Sequence, residues 1–247
     1  MGRAEIERDV TAERTRLAVL PQLQHWIAVP LMFAVLIVAA GFSLRSSRDF
    51  TGADFAVDAA LSHHHTPPRT AIALIVNVLF SPAAGVVIIA AICLFLLLVR
   101  RSPVNAFATG LVAAGSWVSS ELFKLIVARH RPDSAALFDP LTPEPGTDSF
   151  PSGHTALAVA IVIALFLLAR GSRWQWPVLV VGAAVALTVA LSRIYLGVHY
   201  PTDVAASFLT SLTGASFITG LWNRYGLAAL ARLPFLARLG PVPAPVS

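Results

Sequence analysis

The sequence predicts an all-α integral membrane protein, a bundle of six spanning helices with both termini on the cytoplasmic side. Three observations point there. Of the 247 residues, 56% are hydrophobic and only 13% are charged, against roughly 25% charged in a soluble domain. The mean hydropathy is +0.73, and the apolar residues gather into long runs. The arginines fall unevenly between those runs, as they do when loops alternate between two sides of a bilayer.

Six apolar segments can be drawn, over 25–44, 83–99, 104–126, 154–170, 177–195 and 202–222. The first follows a charged stretch, 1–24, which suits an uncleaved anchor better than a signal peptide. The second, 83–99, is short, about 25 Å as a helix, enough for a thin or locally adapted bilayer. Before it, "TAIALIVNVLF" (70–80) is apolar but stops at Ser81-Pro82. It reads as an interfacial or re-entrant helix, or as the first half of one kinked span, 70–99. The third span ends "KLIVARHRP", the fourth opens on "PSGH", and the sixth begins at Pro201, a residue suited to a first helical turn. The expected organisation is a cytoplasmic tail (1–24), a six-span domain (25–222) and a second cytoplasmic tail (223–247).

Orientation follows from the basic residues. Arg100 and Arg101, Arg170 and Arg173, and Arg224, Arg232 and Arg238 share one side with Arg3, Arg8, Arg14 and Arg16, so that side is cytoplasmic. Most acids fall opposite: Asp49, Asp54, Asp58, Asp133, Asp139, Glu144, Asp148 and Asp203. Trp26, Trp174, Trp176 and Trp222 fall near the cytoplasmic ends, as an aromatic belt. The net charge of +5 is not a nucleic-acid signal, because no basic stripe is interleaved with aromatics. The single cysteine, Cys93, lies in an apolar run and reads as a small core residue. Arginine is used 17 times and lysine once, which marks Lys124, since the two are not equivalent at an anion site.

Three polar clusters are expected at one depth on the non-cytoplasmic side. Lys124 and Arg131 are seven residues apart, which places them on one helix face about 10 Å apart, with Pro132 letting Arg131 turn back over the helix end. Ser152 resembles an N-cap and Gly153 leaves the backbone open, at a helix start whose N–H groups suit an anion. His199 and Asp203 bracket Pro201, with Arg193 at the end of the fifth span. A carboxylate four residues beyond a histidine can accept from its Nδ1–H and leave Nε2 as nucleophile or base. Singly, each cluster also reads blandly: a snorkelling basic pair, a capped helix, an acid on a helix dipole. Together they supply cations, a hydroxyl with N–H donors, two histidines and a carboxylate, the inventory of an oxyanion site.

These motifs, Lys124 through Arg131-Pro132, Pro151-Ser152-Gly153-His154, and Ser192-Arg193 through His199 to Asp203, resemble the type 2 phosphatidic acid phosphatase family. Every position of the family pattern matches, in order and with spacing intact. The resemblance implies that His199 attacks phosphorus and forms a phosphohistidine, that Asp203 orients it, and that His154 protonates the leaving oxygen. It implies that Lys124, Arg131, Arg193, Ser152 and the Gly153 N–H hold the phosphate oxygens, with no metal and no cofactor. A lipid phosphate in the plasma (inner) membrane is the expected substrate, reached from the periplasm or exterior. Undecaprenyl pyrophosphate leads; phosphatidic acid, phosphatidylglycerophosphate or a lipid phosphotransferase reaction on the same site are the alternatives. A transporter is a further class, since intramembrane charges often line pathways. Against it, the ionisable residues gather at one interface. His63, His64 and His65 read as a solvated loop rather than a metal site. His130 is not a defining motif position, and His25 reads as interfacial.

Overall fold

The computed structural model describes residues 3–244, and the extreme ends of both expected tails, 1–2 and 245–247, lie outside the described residues. The chain is all-helical. Helix α1 (Arg3–Arg14) precedes α2 (Ala28–Ser46), α3 (Arg48–Ser62), α4 (Pro67–Leu79), α5 (Pro82–Leu94), α6 (Pro103–Val127), α7 (Gly153–Ala169), α8 (Gln175–Tyr195), α9 (Pro201–Leu221) and α10 (Leu227–Ala231). Among the described residues, five helical stretches are long and apolar enough to cross a membrane: Ala28–Ser46, Pro82–Val99, Pro103–Val127, Gln175–Tyr195 and Pro201–Ala231. The expected span at 154–170 is α7, apolar throughout but shorter, at 17 residues.

Two sequence expectations about helix ends change. The segment 70–80 is not the first half of a kinked span: α4 stops at Leu79, and Ser81 caps a new helix by accepting from Ala84 N at 3.4 Å. The sixth span does not end at 222; a π-helical turn over Trp222–Gly226 carries it on to Ala231.

The two tails also pack against the bundle. Leu17, Leu20, Leu227, Leu230 and Leu236 join the core cluster with Val104, Val112 and Leu157. Trp222, expected in an aromatic belt, is instead 3% exposed, with Nε1 donating to the Leu17 carbonyl at 2.8 Å. An indole N–H finds its partner in the folded chain here, which is why this tryptophan leaves the lipid boundary. Trp174 and Trp176 stay exposed.

Helices α6, α7, α8 and α9 form the centre. Small residues let α9 approach closely: a Cβ on Gly214 would meet Ser119 Oγ at 2.4 Å. Its hydroxyls bond across to α7, Ser207 Oγ donating to the Ser152 carbonyl at 3.0 Å and Ser211 Oγ to the Ala156 carbonyl at 3.1 Å. Such stripes are how helices associate where lipid removes the hydrophobic drive. The result is a fixed end at which α6 and α8 finish and α7 and α9 begin.

Candidate active site

Helix α6 ends because Ala128 adopts a left-handed conformation (φ 47°), its N–H bonding back to the Lys124 carbonyl. Lys124 is therefore on the helix and Arg131 is beyond it, a correction to the shared-face reading. Arg131 N donates to the Gly146 carbonyl at 3.1 Å, and its Nη1 reaches the Val198 carbonyl at 3.2 Å, next to His199. The chain reversal that Pro132 allows is thus achieved by the loop.

At the start of α7, Ser152 holds the N-cap position, yet its side chain caps nothing. Its Oγ accepts from Thr155 Oγ1 at 3.2 Å, so no side chain occupies the first-turn N–H groups. A Cβ on Gly153 would stand 3.0 Å from Lys124 Nζ, which shows how closely the ammonium approaches this helix start. His154 Nε2 lies 3.2 Å from the Asn77 carbonyl on α4.

Arg193, at the end of α8, is fully buried, and Nη2 contacts both Glu144 oxygens at 3.1 Å. Its Nη1 donates to the Asn77 side-chain oxygen, so one α4 residue touches both His154 and Arg193. Arg131 meets Glu144 Oε2 at 2.5 Å and Asp148 Oδ1 at 2.8 Å. Lys124 Nζ is 3.3 Å from Glu121.

His199 is 1% exposed, in the turn between α8 and α9. Its Nδ1 donates to the Ser149 carbonyl at 2.8 Å, whereas Asp203 Oδ2 stands 3.8 Å away. The sequence expectation placed Asp203 on that N–H; a carbonyl takes the role instead. Asp203 is turned away by its own partners: Arg129 Nη1 at 2.7 Å, Ser149 Oγ at 2.5 Å and Tyr200 N at 3.0 Å. The tautomer is unaffected, because a carbonyl only accepts: the proton sits on Nδ1 and Nε2 keeps its lone pair. Burial, then the charges of Arg131, Arg193 and Lys124, hold the imidazole well below its ordinary pKa.

All eight expected residues thus come to one end of the bundle, linked through Arg131–Glu144–Arg193–Asn77–His154 and Ser152 N to the Asp203 carbonyl at 3.4 Å. Sequence reasoning missed Arg129, which is 2% exposed, lies over the Tyr200 ring at 4.2 Å, and also donates to Asp54 at 2.9 Å and to Thr202 at 2.8 Å. It also missed Asn77, Glu144 and Asp148. Nothing but position separates Arg129 from its neighbour Arg131 in "ARHRP". The histidine tract follows α3 as an exposed turn at His63 and His64, with His63 stacked on Phe138; only His65 is tied down, bridging Asp139 and the Tyr195 carbonyl, each at 2.9 Å. His130 and His25 are exposed, and Cys93 Sγ lies 3.4 Å from the Ala106 carbonyl between α5 and α6.

Comparison with known proteins gives the family. The family model for the PAP2 superfamily matches residues 103–226, the stretch that holds all eight residues. Undecaprenyl-diphosphatase BcrC of Bacillus subtilis is 32% identical over 152 residues, covering 62% of this chain and 74% of the relative. Phosphatidylglycerophosphatase B of the same organism is 38% identical over 98 residues, 38% of this chain and 46% of its own length. Several other curated relatives are likewise matched over less than two thirds of their length. The crystal structure of a transmembrane PAP2-type phosphatidylglycerolphosphate phosphatase from Bacillus subtilis superposes with a TM-score of 0.65 at 25% identity, over 79% of this chain and 96% of that one. With half the chain matched by the family model and the fold shared, the chain belongs to the PAP2 superfamily.

Proposed function

We propose that this chain, a phosphoric-ester hydrolase by its family, removes phosphate from a lipid at the outer face of the membrane through a phosphohistidine on His199. One observation carries the reading: a buried, neutral His199 has Nδ1 fixed on a carbonyl and Nε2 unbonded, beside Arg131, Arg193 and Lys124. Such a nitrogen is a nucleophile, and the cations suit the oxygens of an in-line phosphoryl transfer. In the first step Nε2 bonds to phosphorus, the bond to the leaving oxygen breaks, and His154 gives that oxygen a proton. In the second, water attacks phosphorus while His154 takes its proton, the P–N bond breaks, and orthophosphate and free His199 result. Lys124, Arg131, Arg193, Ser152 and the Gly153 N–H hold the non-bridging oxygens. Asp203, with Arg129 behind it, fixes the Ser149–Tyr200 frame on which His199 rests.

A six-span topology with cytoplasmic termini puts this end outside, in keeping with the basic residues at the opposite end, where Arg16 Nη1 bonds the Leu168 carbonyl and Arg100 pairs with Glu13. A site at that interface meets lipid headgroups in the outer leaflet. The favoured substrate is a polyprenyl pyrophosphate such as undecaprenyl pyrophosphate, a reading supported by the diphosphatase relative of greatest coverage reported above. Phosphatidylglycerophosphate is the second reading, supported by the superposed structure.

The test is kcat/KM in mixed micelles for undecaprenyl pyrophosphate, phosphatidic acid and phosphatidylglycerophosphate. The polyprenyl substrate is expected to lead. A tenfold preference for either glycerolipid, about 1.4 kcal/mol at the transition state, overturns the assignment. Cysteine at Asp139, and not at Arg173, should react with an impermeant thiol reagent in intact cells; the reverse pattern inverts the topology. Turnover should persist in EDTA and be inhibited by vanadate.

A further inference from the structure

Arg131 and Arg193 share a carboxylate of the chain itself. Glu144 brings Oε2 to 2.5 Å from Arg131 Nη1 and sets both oxygens 3.1 Å from Arg193 Nη2. Asp148 behaves differently: it takes the Nε and Nη2 edge of Arg131 alone, at 2.8 and 3.1 Å, and faces outward at 53% exposure. Glu144 is the group that joins the two arginines, and it does so on the side where Arg131 also reaches the Val198 carbonyl beside His199. Two planar guanidinium groups converging on one pair of oxygens is also how phosphate is held.

We propose that Glu144 is a resident competitor for the phosphoryl position, a carboxylate that an incoming phosphate must displace and that returns as orthophosphate leaves. The inference rests on the reading of Arg131 and Arg193 as phosphate-holding residues. Three features suit Glu144 to the part. It comes from the segment between α6 and α7, at 33% side-chain exposure, so it has a route out to water. It stands between Pro143 and Pro145, which restrict the backbone and present the carboxylate at a fixed place. And Arg193, at 0% exposure, would be a costly uncompensated charge without an anion, so the carboxylate keeps the two arginines together between turnovers.

The consequence is selection by charge. A phosphodiester headgroup carries one negative charge, so exchanging it for Glu144 gains nothing electrostatically. A phosphate monoester carries about −1.5 to −2 at neutral pH and does gain. Glu144 therefore makes the site specific for terminal phosphates over the diester lipids that crowd the same leaflet.

The experiment measures orthophosphate binding to the full-length protein in detergent, and inhibition by dioleoylphosphatidylglycerol in mixed micelles. Glu144→Gln is expected to tighten orthophosphate binding about tenfold and to make the diester lipid an inhibitor. A carboxylate that only braced the arginines would give the opposite sign, so unchanged or weaker orthophosphate binding overturns the proposal. Tighter binding with no inhibition by the diester overturns the charge selection. Asp148→Asn, on the outer edge of Arg131, should not tighten binding; if it does so equally, Glu144 has no special role. Glu144→Asp, one methylene shorter, should fall between wild type and Glu144→Gln, which guards against a folding artefact. Arg193→Ala should abolish orthophosphate binding in both backgrounds. If it does not, the assignment of the phosphate-holding residues fails, whatever Glu144 does.

Discussion

Two arginine–carboxylate clusters lie at the same end of the bundle and are built on different terms. Behind His199, Arg129 pairs with Asp203 at 2.7 Å and Asp54 at 2.9 Å, and these three side chains are 2%, 0% and 8% exposed. In front of it, Arg131 and Arg193 pair with Glu144 and Asp148, which are 33% and 53% exposed. The rear cluster is over-supplied with acids: Asp54, Asp58 and Asp203 gather around one guanidinium. Burial, then Asp54 and Asp203, push the Asp58 carboxyl up to about 8, so it is protonated at neutral pH. The front cluster balances Lys124, Arg131 and Arg193 against Glu121, Glu144 and Asp148. Buried pairs are strongly destabilised by loss of one partner, whereas a carboxylate that reaches water can leave buried arginines such as Arg193 provided that another anion takes its place. On the proposed mechanism, the difference separates a cluster that holds position from one whose Glu144 gives way to phosphate.

The comparison is first broken at the group between the clusters. His199→Ala should abolish both turnover and the acid-quenched phosphoenzyme; retention of phosphoenzyme would place the nucleophile elsewhere. His154→Ala should cost about 10²–10⁴-fold, most for alkyl phosphates, whose leaving oxygens need the proton. Equal losses for aryl and alkyl esters would argue against the acid role.

Arg129→Ala then tests the rear cluster itself. Leaving Asp203 and Asp54 unpaired should cost about 3–5 kcal/mol of stability. In protein that still folds, kcat should fall at constant KM, with partial recovery in Arg129→Lys. A rise in KM alone would make Arg129 part of the front cluster.

The smallest expected effects concern pH. Asp58→Asn should raise the apparent Tm by about 2–4 °C at pH 7.5, the shift of about 1 kcal/mol in a chain of this size. The sign follows from the raised carboxyl. The folded state holds its proton up to about 8 while the unfolded chain releases it near 3.8, so wild-type stability falls as pH rises between those values. The gain should shrink at pH 5; a constant gain would mean that ionisation is not its cause. Asp148 runs the other way. The hydrogen bond from Arg131 holds it down at about 2, so its contribution is present above about 4 and is lost as pH falls through about 2. Its exposure predicts that salt weakens that contribution, which a Tm series in sodium chloride would check.

How much of this is legible in the sequence depends on the residue. The spans were legible because hydropathy runs of 83–99 or 177–195 are set by the solvent they face, and the structure returns helices at Pro82–Val99 and Gln175–Tyr195. The eight motif residues were expected together from the order and spacing of their motifs, and the fold brings them to one end of the bundle. The position of Asp54 was not legible, because 48–62 lies outside every apolar segment; it folds as α3, with Ser47 accepting from Phe50 N, and only packing turns Asp54 inward.

The sequence by itself therefore determined the membrane class, through its apolar runs, and the family, through motifs that all lie within 103–226. Tertiary structure alone decided which arginine of "ARHRP" is buried, that a Ser149 carbonyl rather than Asp203 receives the His199 proton, and that Glu144 joins Arg131 to Arg193. Those outcomes depend on burial and on competition among several partners far apart in the chain. A guanidinium or carboxylate settles where its whole surroundings satisfy it, and no local pattern records that choice.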